Sequence, residues 1–186
     1  MPKKEINLLS ETERLVLRPL ENMDYERWLE GFSNTLPQQY KHDGVKMDLS
    51  EWTQEKFNEV VTRHQQLAIQ DEGYIFGVFR KFDNKHIGMV GFWTVMRREF
   101  QWGFLEYRIH NQHWGNGFGK EAVQEGLSIA FKNLDFHRIE AHINIDNPPS
   151  ISLAESVGLT YECTRKGFTY EFNEWTDNFI YYMNSK

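Results

Sequence analysis

The sequence predicts a mixed α/β fold, and three observations carry that prediction. Two β-rich runs, YIFGVFRKF from Tyr74 and HIGMVGFWTV from His86, flank the turn residues Asp83 and Asn84 and read as an antiparallel hairpin. A third run, EFQWGFLEYRIH, is followed by a glycine loop, an amphipathic helical stretch and an alternating strand, which is the order of a βαβ crossover. Helical stretches precede this block, and further strand-like runs close the chain.

Each element has a local reason. RLVLR at 14–18 alternates apolar and basic residues as a half-buried strand, closed by Pro19. DYERWLEGF, from Asp24, reads as a helix. DLSEWTQEKFNEVVTRHQQLAI, from Asp48, reads as a longer one with Trp52, Val60, Val61, His64 and Leu67 near one face. In EFQWGFLEYRIH the bulky residues fall at 100, 102 and 104, then at 105, 107 and 109. A strand that keeps its apolar side chains on one face changes parity only by inserting a residue, which predicts a β-bulge near Leu105–Glu106. KEAVQEGLSIAFKNL places Val123, Leu127, Ala130, Phe131 and Leu134 at helical spacing, with Lys120, Glu121 and Glu125 off that face. RIEAHINID alternates Ile139, Ala141, Ile143 and Ile145 with Arg138, Glu140, His142 and Asn144. NPPSISLAESVGL makes a short helix stopped by Gly158, and YECTRKGFTYEF and NFIYYM supply two strands. Without repeats or linker-like tracts, residues 1–186 read as a single domain.

Composition narrows the function classes. The 40% hydrophobic content of 186 residues fills a core, so disorder is not the reading. A net charge of −6 argues against nucleic-acid binding, which needs a clustered basic surface, and leans toward a cationic substrate. No run approaches the ~18 apolar residues of a membrane span, and the opening MPKKEINLLSETER has no leader-like apolar stretch, so a cytoplasmic protein without membrane contact is expected. The single cysteine, Cys163, cannot form an internal disulfide and reads as an idle thiol rather than a nucleophile. Seven histidines without metal-ligand spacing predict no metal site. The 15% aromatic content fits a core or an aromatic-lined pocket.

The stretch that asks for a function is NQHWGNGFGKEA, with Gly115, Gly117 and Gly119 at alternate positions. Glycines at a helix entry leave unpaired N–H groups and the positive end of the dipole open to an anion, although a plain tight turn accounts for such a loop equally well. Two nucleotide loops are excluded. A Walker loop needs glycine five residues before Gly119-Lys120 and Ser or Thr after it, where Trp114 and Glu121 stand. A dinucleotide fingerprint needs its third glycine at Lys120.

The chain resembles the Gcn5-related N-acetyltransferase (GNAT) family, and within it the ribosomal-protein alanine and serine N-acetyltransferase-like branch. The resemblance rests on TERLVLRPL with Asp24, IGMVGF, WGNGFGKEA, HRIEAHINIDNPPSISLAESVGL and EWTDNFIYYM, ordered motifs over most of the chain. It implies a central, mostly antiparallel twisted sheet with helices on both faces. In that fold a bulged fourth strand parts from the fifth, and the pantetheine arm of acetyl-CoA lies along the exposed strand edge.

The resemblance also implies roles. The backbone of Asn116, Gly117, Phe118, Gly119 and Lys120 would hold the pyrophosphate, with Gly117 and Gly119 giving clearance and Trp114 and Gly115 also against the cofactor. Trp114 replaces the wider family's Gln or Arg, which puts a side-chain contact in doubt, and a frame shifted to Gln112, Gly115 and Gly117 competes. Asn147 matches the residue that binds the pantetheine arm, yet before Pro148 it equally fits a helix N-cap. Ser150 matches a donor to the departing thiolate, with an ordinary helix-start serine as the alternative, and Ala154 stands where many relatives carry a tyrosine. An amine of pKa ~8–10 arrives protonated, so a base is needed. Glu106, at the expected bulge and partly buried, is the candidate; Tyr107 and His110 are weaker ones. A strand N–H within Tyr107–Ile109 would meet the charge developing on the carbonyl oxygen. The expected reaction is acetyl transfer from acetyl-CoA to an amine, a small molecule or a protein N-terminus, with no metal. A monomer and a homodimer both remain open, and the rival reading is an acetyl-CoA-binding regulatory module without turnover.

Overall fold

The structure, a computed structural model, describes residues 8–186. The expectation of no leader at the chain start falls in part on residues 1–7, outside the described residues.

Eight strands form one sheet in the order β1 (Ser10–Glu11), β2 (Leu15–Arg18), β3 (Gly73–Arg80), β4 (His86–Met96), β5 (Trp102–Ile109), β6 (Arg138–Asn144), β8 (Glu174–Asn184) and β7 (Thr160–Glu171). All neighbours are antiparallel except β5 and β6. That parallel pair is bridged by α3 (Phe118–Lys132), as the crossover order predicted. The helices α1 (Tyr25–Ser33), α2 (Gln54–Gln70) and α4 (Pro148–Ser156) complete the fold.

Alternation along the strands sends apolar side chains to two cores. On one face Leu15, Leu17, Phe76, Val78, Val90 and Phe92 pack with Ala122, Val123 and Leu127 of α3. On the other, Phe79 meets Trp28 of α1 with Phe57 and Val61 of α2. Trp28, Trp52 and Phe57 form a tilted aromatic group with centroids 4.6 and 5.3 Å from Trp28, so part of the aromatic content serves the core.

Two helix starts differ from the sequence reading. α2 begins at Gln54 rather than near Asp48, because the Asp48 carboxylate takes the Ser50 N–H at 2.9 Å in a turn and Thr53 caps the helix. Phe57, not foreseen on its buried face, is fully buried there. α3 begins at Phe118, two residues early, which puts Gly117 at the N-cap and Gly119 within the first turn.

The expected bulge at Leu105–Glu106 is absent. The β4–β5 register runs unbroken from Gly88↔Ile109 to Thr94↔Gly103, and its one irregularity lies between Thr94 and Met96. The change of parity is a change of face. Phe104 stacks on His142 at 5.5 Å on one side of the sheet, while Leu105 and Ile109 bury on the α3 side. The strands part nonetheless: β5 pairs with β6 only from Trp102↔Arg138 to Phe104↔Glu140, whereas β6 stays paired with β8 throughout Arg138–Asn144.

Candidate active site

The parted strand supplies an open edge. The His110 N–H bonds back to the Ile87 carbonyl of β4 at 2.9 Å, so by strand alternation the N–H groups of Tyr107 and Ile109 point the other way, into the opening. Trp114 donates its indole N–H to the Ile109 carbonyl at 2.7 Å, which fastens the glycine loop to the end of β5.

Gly115 and Gly117 both hold φ at 77°, a left-handed value that a side chain disfavours. Gly117 caps α3 without a capping side chain, and the first helical bond is Glu121 N–H to Gly117 O. The amides of Phe118, Gly119 and Lys120 therefore have no acceptor among the described residues, and they share the positive end of the helix dipole. Gly119 answers to close approach: a Cβ there would lie 2.9 Å from Leu153 Cδ1 of α4. In the competing frame, Gln112 instead donates to the Gly31 carbonyl of α1 at 2.9 Å. Arg14, at the foot of β2, braces the loop from outside, its Nη1 donating to the Asn116 carbonyl at 3.0 Å.

These groups line a cavity of about 500 Å³ between Ile109, the α3 entry and α4. Tyr107, Trp114, Gly115, Gly117, Phe118, Gly119, Lys120 and Ser150 are all on its wall, whereas Asn116 is not among the lining residues. A second cavity of about 450 Å³ lies on the other side of the opening, walled by Glu106, His142, Asn147, Glu171 and Phe172. Tyr107, Ser150, His42 and Asp43 line both, so the two meet there.

Asn147 is the N-cap of α4, accepting the Ser150 N–H at 3.4 Å and the Tyr40 hydroxyl at 3.3 Å. It lines the second cavity and is not among the residues lining the first. Burial pushes the Tyr107 phenol up, and the Ser150 hydroxyl beside it offsets part of that rise. Glu106 is exposed, not partly buried as expected, and accepts the Trp93 indole N–H at 2.9 Å. His110 is buried behind the strand end against Phe32 and His86, and it lines neither of the two cavities. Among the described residues no group of His, Cys, Asp or Glu is arranged to hold a metal, and no helix is long and apolar enough to cross a membrane.

Sequence reasoning missed the strap around 37–46. Tyr40 packs near Trp114 at 5.8 Å, while Lys41 and His42 reach Asp146 at 2.9 and 2.5 Å, so the strap ties both lips of the opening. The segment has no periodicity, and only its long-range contacts reveal it. Arg14 and the Glu140–His142 pair were also missed; both looked like the polar face of a strand.

An open strand edge running into bare helical amides, with a second pocket at its far end, has the form of a protein with room for two ligands, one side suited to an elongated anion. A family model described as an acetyltransferase (GNAT) domain matches residues 14–160. The chain is 31% identical over 148 residues to YjcK of Bacillus subtilis, named as a probable N-acetyltransferase, with 80% of this chain and 81% of that protein covered. The fold superposes with a TM-score of 0.77 on a ribosomal-protein-S5-alanine acetyltransferase from Vibrio fischeri, at 21% identity over 96% of this chain and 97% of that one. It superposes equally, at 0.77, on Mycobacterium smegmatis RimJ in complex with CoA-disulfide, at 18% identity over 95% and 87%. The chain belongs to the GNAT acetyltransferase family and is an N-acetyltransferase.

Proposed function

We propose that residues 1–186 act as one domain that transfers an acetyl group from acetyl-CoA directly to a primary amine, in a ternary complex with no covalent enzyme intermediate. One observation carries the reading: the free edge of β5 leads from the bare amides of Phe118, Gly119 and Lys120 to the junction of the two cavities at Tyr107 and Ser150. The α3 amides and the dipole behind them suit the pyrophosphate, with the backbone of 114–117 beside it. The Tyr107 and Ile109 N–H groups suit the pantetheine arm and the carbonyl oxygen on which charge develops. Asn147 contributes by capping α4 and thereby fixing Ser150, whose hydroxyl at the junction is the donor to the departing thiolate. Glu106, on the wall of the second cavity, receives the acceptor ammonium and takes its proton, directly or through water.

For the acceptor we favour the α-amino group of a protein N-terminus, because the fold matches a ribosomal-protein-S5-alanine acetyltransferase. A small-molecule amine is the second reading; Glu106, Glu171 and Asp43 on the cavity wall suit any compact cation. The test is release of free thiol from acetyl-CoA with alanine- and serine-initiated peptides, spermidine, free amino acids and an aminoglycoside. Turnover with one class and not the others assigns the acceptor, and binding of acetyl-CoA without turnover by any would overturn the reading.

A further inference from the structure

Phe104↔Glu140 is the last pair that β5 and β6 share, and the next same-face position on each strand is Glu106 and His142. They are the first side chains beyond the fork on that face, and both line the acceptor-side cavity. His142 is held on several sides. Its ring stacks on Phe104 at 5.5 Å and an 18° interplanar angle, and meets Phe168 edge-on at 5.1 Å. Its Nε2 lies 2.9 Å from Glu140 Oε2. The Glu140 side chain is only 3% exposed and is also bound by Arg138 at 2.9 Å and Arg165 at 3.4 Å.

Burial works to raise the Glu140 carboxyl, but the hydrogen bonds from His142 and Arg138 outweigh it and hold the group below the usual carboxylate range. An ionised carboxylate only accepts, so Nε2 donates, and the lone pair of the neutral ring sits on Nδ1. Nδ1 has no partner among the described residues, and it is not a sealed-off buried atom. A carboxylate orienting an imidazole whose other nitrogen is left free, on the wall of a reactant cavity, is the arrangement of a proton acceptor.

Resting on the acyl-transfer reading above, we propose that His142 is the residue that takes up the acceptor's proton, with Glu106 passing it across the fork and Glu140 as the positioning residue that fixes the ring. The ammonium N–H bond breaks and its proton passes by way of Glu106 and bridging water to Nδ1 of His142. The electron pair left on nitrogen forms the bond to the thioester carbonyl carbon. The C–S bond then breaks with its pair on sulfur, which takes the second nitrogen proton by way of the Ser150 hydroxyl. The imidazolium returns its proton to water, so one proton is released per amine acetylated. The other charged groups facing this ring are Arg138 on its own strand, Arg165 and Glu171 on β7, and Lys41, His42 and Asp43 on the strap.

The test is the pH dependence of thiol release between about pH 5.5 and 9, using the most active amine of the panel above. His142→Gln should lower kcat at least tenfold near pH 7 with the KM for acetyl-CoA within twofold, and the deficit should shrink toward pH 9, where the amine arrives neutral. His142→Phe keeps an aromatic ring against Phe104 and should show the same deficit and the same recovery. Glu140→Gln should lower kcat while leaving the KM for acetyl-CoA within twofold, because the ring loses the carboxylate that orients it. A His142→Gln profile parallel to the parent at every pH, or an unimpaired His142→Phe, would leave the ring a packing role and overturn the proposal. Absence of thiol release by the parent protein with every amine would bring down the acyl-transfer reading and this one with it.

Discussion

Arg14 Nε lies 2.6 Å from Glu121 Oε2, joining the foot of β2 to the first turn of α3 beneath the glycine loop. The Arg14 backbone N–H and the Thr12 hydroxyl both reach Glu121 Oε1, so one carboxylate gathers the strand end and the helix entry. Arg14→Ala should therefore weaken CoA binding about three- to tenfold by titration calorimetry. Global stability should fall by less than about 1 kcal/mol, because the Arg14 side chain is 44% exposed and solvent screens the pair. Unchanged CoA affinity would show that the loop keeps its shape unaided.

Gly117→Val sets a β-branched residue at φ 77° and puts a side chain beside the bare amides. CoA affinity should drop more than tenfold, with far-ultraviolet circular dichroism unchanged. Wild-type affinity in this variant would remove the α3 entry as the anion site.

Glu106→Gln keeps an acceptor for the Trp93 indole while removing the charge. Turnover at neutral pH should fall at least tenfold with CoA affinity within twofold. An unaltered rate would take Glu106 out of the proton path.

Asp24 is fully buried and accepts from both terminal nitrogens of Arg18, at 2.6 and 2.7 Å, and from the Glu21 N–H at 2.8 Å. Asp24→Ala strands the Arg18 guanidinium in a largely buried site, and urea denaturation should record a loss of about 3–5 kcal/mol. A loss under about 1 kcal/mol would show that Arg18 finds another partner or water.

Burial lowers His86 and His110 to about 3 and His64 to about 4. Their unfolded forms protonate near the ordinary histidine value of ~6.5, so below that pH the unfolded state binds more protons and stability falls with acidity. The loss continues down to the folded values and approaches about 1.4 kcal/mol per pH unit for each group. His86→Phe should narrow the gap between urea midpoints at pH 7 and pH 5, and an unchanged gap would show that the buried rings are not its source.

The elements that carry alternation or helical spacing were legible in the sequence, since burying one face imposes a period: β2 to β6, α1 and α4 fall where the patterns place them, and α3 lies two residues earlier. Misreadings came where two local rules competed. Asp48 imitates a helix cap but closes a turn, and the aromatic residues of β5 looked out of register because both faces of that strand are packed. Gly115 and Gly117 were legible because a left-handed φ is a local demand. The strap bearing Tyr40 and Asp43 and the brace at Arg14 were not, because each depends on contacts between residues distant in sequence, and the Glu140–His142 pair, only two residues apart, was hidden in the ordinary polar face of a strand.

Because β5 keeps strict alternation, one strand faces three directions: Leu105 and Ile109 anchor it inward, Glu106 lines the second cavity, and the Tyr107 and Ile109 amides look sideways into the opening. A single inserted or deleted residue between Gly103 and Leu105 would rotate all of these by half a turn. It would bury a carboxylate, expose aliphatic anchors and aim the amides back into the sheet. This strand thus tolerates swaps of side chain far more readily than changes of length, and length variation among working descendants of the chain should collect in the connections instead.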